Sequence, residues 1–261
     1  MYIFVCEDSI DGIFSGVYDA WASHYGHSNV ALTIREAENL SLFDQYISVP
    51  TDFEKSKKVA RTLRLRLGMD VYSEICQAAS AIESDKRRKD GIDKADAIYK
   101  TIVLALSIQD GSKVLTFLGN PYVNQVFQLS RAAGNEAHHL MGFLRFHELE
   151  SGILFAKIHP KHGILSFLTE HFCDRLPEEN FLIYDEDRKK AGLHKAGAGW
   201  LITDTQGMDE SFLERFSEEE YEYQRLWCGF FESIAIEARK NKALQNQNIP
   251  KRFQKDALEF Q

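Results

Sequence analysis

The chain has 261 residues, of which 44% are hydrophobic and 27% are charged, and its formal net charge is −8. These values are typical of a folded globular protein, and they exclude an intrinsically disordered or collagen-like chain. An acidic chain is also not expected to bind nucleic acid over its whole surface, so any such contact must be local.

The N-terminal residues predict a β-α-β segment. Residues 2–6 form a short aromatic and β-branched run typical of a strand, and residues 30–34 form a second one. Between them, Ile13, Val17 and Trp21 recur on one face of a helix. No glycine-rich loop with the spacing of a dinucleotide fingerprint follows the first strand. The sequence therefore predicts a β-α-β segment that lacks the dinucleotide-binding motif.

Residues 51–118 predict a helical region, with Val59, Leu63 and Leu67 on the apolar face of its first helix. The stretch from Lys55 to Arg66 contains six basic residues and no acidic residue. Such a run is either a solvated helix face or an anion-binding surface, and the sequence alone leaves both interpretations open.

From residue 143 onward, strands and helices are mixed. A hairpin is predicted for 143–149 and 153–158, followed by a helix over 164–176 and strands over 181–185, 191–196 and 200–203. A long amphipathic helix is predicted for 218–240, and we expect its apolar side to be buried: Tyr223, Trp227, Phe230, Phe231, Ile234 and Ala238. Because strict β-α-β alternation is missing, the predicted fold class is α+β.

A helix start at Pro121 suggests a boundary before it, so we predict two parts, residues 1–118 and 119–261. The N-terminal residues lack the basic region of a signal peptide, and no run approaches the length of a membrane span. Four isolated cysteines are typical of reduced, buried thiols. We therefore expect a cytoplasmic protein without membrane contact.

Histidines and cysteines do not predict a metal site or a cofactor. His138 and His139 are adjacent, so they diverge on a helix, and His159 and His162 lie in a turn without the spacing of a zinc helix. The chain has no C-x-x-x-C-x-x-C cluster either, so radical chemistry is expected to belong to another protein. Hydrolase, NTPase and kinase motifs are also missing from the sequence.

A polar cluster is predicted around the helix over 164–176. On a helical wheel His171 and Arg175 share the inward stripe, and Asp185 closes the next strand. An inward guanidinium requires a partner, which is either this aspartate or a bound anion such as phosphate. Arg145 or Arg188 would complete the pocket, and a surplus of positive groups would favour the anion. These five residues are our candidates for a catalytic or anion-binding site.

The C-terminal residues carry a second candidate site. From Arg239 to Lys255 there are six basic residues and no acidic residue, interleaved with amides and an aromatic residue. This pattern suits phosphate contact combined with base stacking. The predicted nucleic-acid contacts are Arg239, Lys240, Asn241, Gln245, Lys251, Arg252 and Phe253.

Several strings together resemble one bacterial family. They begin with Glu136-Ala137-His138, Gly142-Phe143-x-Arg145-Phe146, His171-Phe172-x-x-Arg175 and Ile183-Tyr184-Asp185-x-x-Arg188. They continue with Leu226-Trp227-x-x-Phe230-Phe231, Arg239-Lys240-Asn241-x-x-Leu244-Gln245 and Pro250-Lys251-Arg252-Phe253. The family is labelled "probable DNA metabolism protein" and contains a domain of unknown function. Phe181 and Gln254 depart from the family pattern, because tryptophan is common near both positions.

The resemblance implies a context rather than a reaction. Family members are encoded beside a radical-SAM protein of DNA modification or repair, and in some a similar domain is joined to a uracil-DNA-glycosylase-like domain. We therefore expect a nucleic-acid-associated accessory protein whose partners are DNA and the radical-SAM protein. The alternatives are an enzyme acting on a phosphate or base in the His171, Arg175 and Asp185 cleft, and a protein-binding scaffold for the partner.

Overall fold

The computed structural model of the chain describes residues 1–35, 43–83, 91–254 and 258. It confirms the predicted α+β class, with two small sheets among many helices. By contacts, the chain divides into an N-terminal unit, Met1–Asn135, and a C-terminal unit, Glu136–Gln261. The domain boundary expected after residue 118 stays a prediction. In the described parts of the chain, no helix has both the length and the apolar character of a membrane span.

The N-terminal unit contains a three-stranded parallel sheet in the order β2-β1-β3. Its strands are β1 (Tyr2–Val5), β2 (Val30–Thr33) and β3 (Gln45–Ser48). Its helices are α1 (Ile10–Ala22), α2 (Phe53–Leu67), α3 (Met69–Ser80), α4 (Lys94–Ser107), a 3-10 helix (Gly111–Thr116) and the first part of α5 (Pro121–Phe143). The predicted β-α-β start and helical middle are confirmed, whereas β3 was not predicted.

Helix α1 begins because the Ser9 hydroxyl accepts a hydrogen bond from the Gly12 amide at 2.9 Å. Ile13 and Val17 are buried as predicted. The helix also approaches strand β1 closely, since a Cβ atom on Gly16 would lie 2.1 Å from the Cys6 sulfur. Trp21, which was predicted on the same apolar face, is instead 40% exposed.

Helix α2 confirms the predicted amphipathic pattern. Asp52 caps its first turn by accepting hydrogen bonds from the amides of Glu54 and Lys55. Val59, Leu63 and Leu67 are buried, so the basic residues of this helix lie towards solvent. Residues 84–93 are highly charged and contain Gly91, a composition that predicts a surface turn. This stretch lies largely outside the described residues, and its described part ends at Asp93, which caps α4.

The C-terminal unit contains a five-stranded mixed sheet in the order β4-β5-β6-β7-β8. Its strands are β4 (His147–Glu148), β5 (Leu154–Ile158), β6 (Phe181–Asp185), β7 (Lys190–His194) and β8 (Trp200–Asp204). Strands β5 and β6 are parallel, and the other neighbours are antiparallel. The helices are the last part of α5, α6 (Leu165–Arg175), a 3-10 helix (Glu210–Glu214), α7 (Glu218–Ile234), α8 (Lys242–Asn248) and α9 (Lys251–Gln254).

Strand β6 forms the centre of this unit, because all five of its residues are buried. Helix α6 packs against β7 and β8, and its side chains Leu168 and Phe172 are buried. The helix and the sheet are in close contact at Gly192, where an added Cβ atom would lie 1.9 Å from the Thr169 hydroxyl oxygen. A glycine is therefore required at this position of β7.

The predicted burial of the last long helix is wrong. Helix α7 ends at Ile234 rather than at residue 240. Trp227 is 41% exposed and Phe230 is 54% exposed, while Phe231 is half-buried. The amphipathic pattern correctly identified the apolar side of this helix, but that side is largely open to solvent.

The four cysteines are free thiols. Cys6 and Cys76 are buried as expected, whereas Cys173 and Cys228 are half-buried. Burial, together with the nearby carboxylates of Asp93 and Asp19, raises the pKa of Cys6 to about 12. This thiol is therefore protonated at neutral pH.

Candidate nucleic-acid interface and a buried polar network

A turn of four residues, His159-Pro160-Lys161-His162, follows strand β5 and is held by two charged side chains. Arg188 donates hydrogen bonds to the carbonyl oxygens of Pro160 at 2.9 Å and Lys161 at 2.6 Å. Glu136 accepts hydrogen bonds from the amides of Lys161 at 3.0 Å and His162 at 2.7 Å. The 159–162 turn is thus fixed through its backbone from both sides.

Asp185 orients the arginine of this network. Its carboxylate accepts hydrogen bonds from the Arg188 guanidinium and the Arg188 backbone amide, both at 3.1 Å. Asp185 is buried, and burial raises the pKa of its carboxyl group more than the neighbouring Arg188 lowers it. The predicted proximity of Asp185 and Arg188 is confirmed. Asp185 holds Arg188, and Arg188 binds the backbone of the 159–162 turn. The ion pair therefore has a structural role in this unit.

The predicted inward position of Arg175 is wrong. Arg175 is the last residue of α6 and is exposed, and His171 is half-buried. The buried carboxylate of Asp185 is paired with Arg188 instead. His171, Arg175 and Asp185 therefore do not form the expected ion-pair pocket, and their suggested functional roles stay predictions.

Glu136 is the residue of this network that the hydropathy pattern did not reveal. Glu136 is 1% exposed, and its carboxylate lies 3.2 Å from the Arg252 guanidinium. The same carboxylate accepts the hydrogen bonds from the two amides of the 159–162 turn. The adjacent His162 is buried, and burial lowers the pKa of its imidazole despite the opposing effect of Glu136. The only signal for Glu136 in the sequence was its place at the start of the family-like strings.

The end of the basic run is anchored rather than free. We refer to residues 239–253 as the C-terminal basic segment. At its end, Arg252 pairs with Glu136, and Phe253 is buried with its ring centroid 5.7 Å from that of His139 and 6.2 Å from that of Phe143. The prediction that Phe253 stacks on a base is therefore contradicted, since its ring is already packed inside the unit.

Residues 239–247 and Lys251 of the C-terminal basic segment are exposed. Lys240 pairs with Glu237 at 2.6 Å, and the Asn241 side chain caps helix α8 by accepting from the Leu244 amide. Gln245 is exposed. Within the described part of the chain, three cations of this segment form no ion pair: Arg239, Lys242 and Lys251. These three side chains are the ones available to an anionic ligand.

Arg145 and His147 line a small cleft of about 200 Å³ together with Lys157 and Phe216. They were expected on one strand, but α5 continues to Phe143 and β4 contains only two residues. Arg145 therefore lies in the connection before the strand, where it donates to the carbonyl oxygens of Gly142 and Leu144 and its guanidinium lies 5.9 Å from the Trp227 ring centroid.

His147 is held in this cleft by Glu220, which sequence reasoning did not identify. The two side chains are 2.8 Å apart, and Glu220 also accepts from the Glu148 amide at 3.0 Å. Burial alone would raise the pKa of Glu220, but the hydrogen bonds from Glu148, Gln224 and His147 together lower it. Glu220 is therefore ionised at neutral pH and fixes the orientation of the imidazole.

The described residues contain no group of three or more His, Cys, Asp or Glu side chains arranged to hold a metal ion.

Among curated proteins, none matches this chain. One family model does match, over residues 92–259, and its description is "Domain of unknown function", DUF4130. The matched region is well over half of the chain and includes the C-terminal basic segment and the 159–162 turn. The chain therefore belongs to this uncharacterised domain family.

Proposed function

We propose that this protein is a nucleic-acid-associated accessory protein that acts with a radical-SAM partner in DNA modification or repair. The DNA context and the partner come from the family resemblance of the sequence. The observation that carries the proposal is the C-terminal basic segment, which presents unpaired cations on an anchored piece of chain.

Anchoring matters because a disordered basic tail loses conformational entropy when it binds a ligand. Here Arg252 and Phe253 hold the end of the segment against α5. Arg239, Lys242 and Lys251 precede these anchors and are exposed. Three cations on a short anchored segment can contact successive phosphates, whereas the net charge of −8 disfavours binding elsewhere on the surface.

The test is a salt titration of DNA binding by the full chain, with labelled single-stranded and duplex oligonucleotides. Replacing Arg239, Lys242 and Lys251 together by Gln should weaken binding and flatten the slope of log K against log salt. On duplex DNA the slope should change by about 0.9 for each phosphate that the variant no longer neutralises.

A control variant of equal charge carries Gln at Lys190, Lys195 and Arg215, three exposed cations of the same unit outside the C-terminal basic segment. It should retain the slope of the parent protein. Equal slopes for the two triple variants would refute the assignment of this segment, and a parent protein that binds neither oligonucleotide would refute the proposal itself.

The exposed apolar side of α7 favours a second candidate function, that of a scaffold for the partner protein. Leu226, Phe230 and Ile234 are each more than half exposed on this helix. Exposed apolar residues that are grouped on one helix face commonly mark a protein contact. The catalytic alternative stays a prediction, since Asp185 and Arg188 are engaged with each other and with the 159–162 turn.

The scaffold function can be tested by co-purification with a co-expressed radical-SAM protein. Replacing Leu226 and Phe230 by Ser should abolish co-purification. Leu65 and Met69 of the N-terminal unit are at least as exposed as Leu226 and Phe230. Replacing Leu65 and Met69 by Ser should leave co-purification unchanged. Co-purification that survives the α7 changes would exclude this helix as the contact.

A further inference from the structure

The N-terminal unit contains a cleft of about 590 Å³ between helices α1, α2 and α4. This volume is within the range of small-molecule sites in proteins. The floor is made of Val17, Val59, Leu63 and Ile102, which are all buried. A ligand in this cleft would therefore meet an apolar surface beneath it.

Two aromatic side chains of α1 stand at the edge of this floor. Tyr18 is half-buried and Trp21 is exposed, and both line the cleft. The Trp21 ring also lies against His27, with the ring centroids 4.4 Å apart, so its orientation is supported. An aromatic side chain that is held beside an apolar cleft provides a stacking surface for a flat ligand.

The side of the cleft that is formed by α2 is positively charged. Lys58 and Arg66 of α2 line it with Thr62 between them, so the three residues follow one face of the helix at intervals of four. Lys55 and Lys57 of the same helix are paired with Asp19 and Glu54.

Lys58 and Arg66, by contrast, form no ion pair with any described residue. The ammonium group of Lys58 lies 5.4 Å from the centroid of the Tyr18 ring. Lys58 interacts electrostatically with Asp52 but forms no ion pair with it, so both cations on this side of the cleft remain available to a ligand.

We infer that this cleft binds a nucleotide unit, with the base against the apolar floor and the aromatic edge and with phosphates at Lys58 and Arg66. A neutral apolar ligand would not use the cations, and a single carboxylate would use only one. Two cations that are eight residues apart on a helix are separated by about 12 Å along its axis, which suits an extended polyanion. The inference rests on the proposed nucleic-acid function, but it concerns residues outside the C-terminal basic segment.

The nucleotide could be free or part of a single strand, and the test separates these sources. Binding of a labelled ten-residue oligothymidylate is measured by anisotropy, and binding of a deoxynucleoside triphosphate by calorimetry. Replacing Lys58 and Arg66 by Gln should weaken binding at least tenfold for the oligothymidylate if the cleft binds a single strand, or for the deoxynucleoside triphosphate if it binds a free nucleotide. Trp21→Ala should also weaken it, whereas Trp21→Phe should retain most of the affinity because a flat ring remains.

The matched control replaces Lys57 and Arg61 by Gln, which removes the same charge from the same helix outside the cleft. If it weakens binding as much as the Lys58 and Arg66 changes, the inference is overturned and the proposed function stands. The same holds if only the changes in the C-terminal basic segment reduce binding, or if laurate occupies the cleft without displacing either bound nucleotide probe. If the parent protein binds no nucleic acid or nucleotide at all, both the inference and the proposed function fail.

Discussion

The Arg252 guanidinium lies 3.2 Å from the Glu136 carboxylate and joins the C-terminal basic segment to helix α5. Glu136 also accepts hydrogen bonds from the amides of Lys161 and His162. One buried carboxylate thus holds both the 159–162 turn and the end of the basic segment. The amide hydrogen bonds of the turn are more buried than the Arg252–Glu136 ion pair. We therefore expect the amide hydrogen bonds to contribute more to stability than the ion pair does.

We predict that Glu136→Ala lowers the free energy of unfolding by roughly 2–4 kcal/mol, because it leaves the buried amide of His162 and the partly buried amide of Lys161 without an acceptor. Arg252→Met should cost about 1 kcal/mol or less, since the arginine side chain is 47% exposed and its ion pair is screened by solvent. Urea unfolding of the two variants checks this order. Equal losses would mean that the ion pair, rather than the amide hydrogen bonds, carries the stabilisation.

A second prediction concerns the exposed helix α7. Trp227→Ala should lower the free energy of unfolding by about 1 kcal/mol or less, because the side chain is 41% exposed. Phe181→Ala, in the buried strand β6, should cost roughly 3–5 kcal/mol. Thermal or urea unfolding of both variants gives the comparison. A loss at Trp227 as large as that at Phe181 would show that the apolar side of α7 is covered in solution.

The features that the sequence predicted well are those determined by local pattern. Strand β6 has the predicted bounds, Phe181–Asp185, because an apolar run of five residues between polar segments is too short for a helix and is typical of a fully buried strand. Helix α5 begins at Pro121, where the fixed backbone angle of proline suits a first helical position. Strand β3 was missed because Gln45–Ser48 is short and only partly apolar, and it is specified by pairing with β1.

The features that were missed depend on tertiary contacts. Arg175 was placed inward by helical periodicity, but a long side chain on the last residue of a helix can reach solvent. Lys94 was not expected to be buried, yet its ammonium group donates to the carbonyl oxygens of Ala79 and Ala81. Partners of this kind are backbone groups distant in sequence, so hydropathy cannot reveal them. Likewise, an amphipathic pattern identifies the apolar face of α7 but not whether another element covers it.

A third prediction concerns the close contact of α6 with β7. Gly192→Ala should lower the free energy of unfolding by about 1–3 kcal/mol, because the new methyl group would overlap the Thr169 hydroxyl. Adding Thr169→Ala to this variant removes the overlapping atoms and should restore part of the loss. Denaturant unfolding of the single and double variants tests the coupling. Additive losses would indicate that the contact between these two residues is not the cause.

The last prediction concerns the pH dependence of stability in the N-terminal unit. Asp96 of α4 accepts a hydrogen bond from the Leu32 amide at 3.2 Å, and burial raises the pKa of its carboxyl group to about 6, against the opposing effect of Lys100. The folded state therefore retains a proton that the unfolded state loses near pH 4. Because the folded state binds more protons in this window, stability falls as the pH rises from about 4 to about 6.

Asp96→Asn keeps an oxygen for the Leu32 amide but cannot ionise. As the pH rises from about 4 to about 6, the parent should therefore lose stability relative to this variant. The relative loss should be no more than about 1.4 kcal/mol for each unit of the pKa shift. Urea unfolding at pH 4, 5, 6 and 7 measures this difference, in which the titration of other groups cancels. A difference that stays constant over these pH values would show that Asp96 ionises at its ordinary pKa in the folded protein.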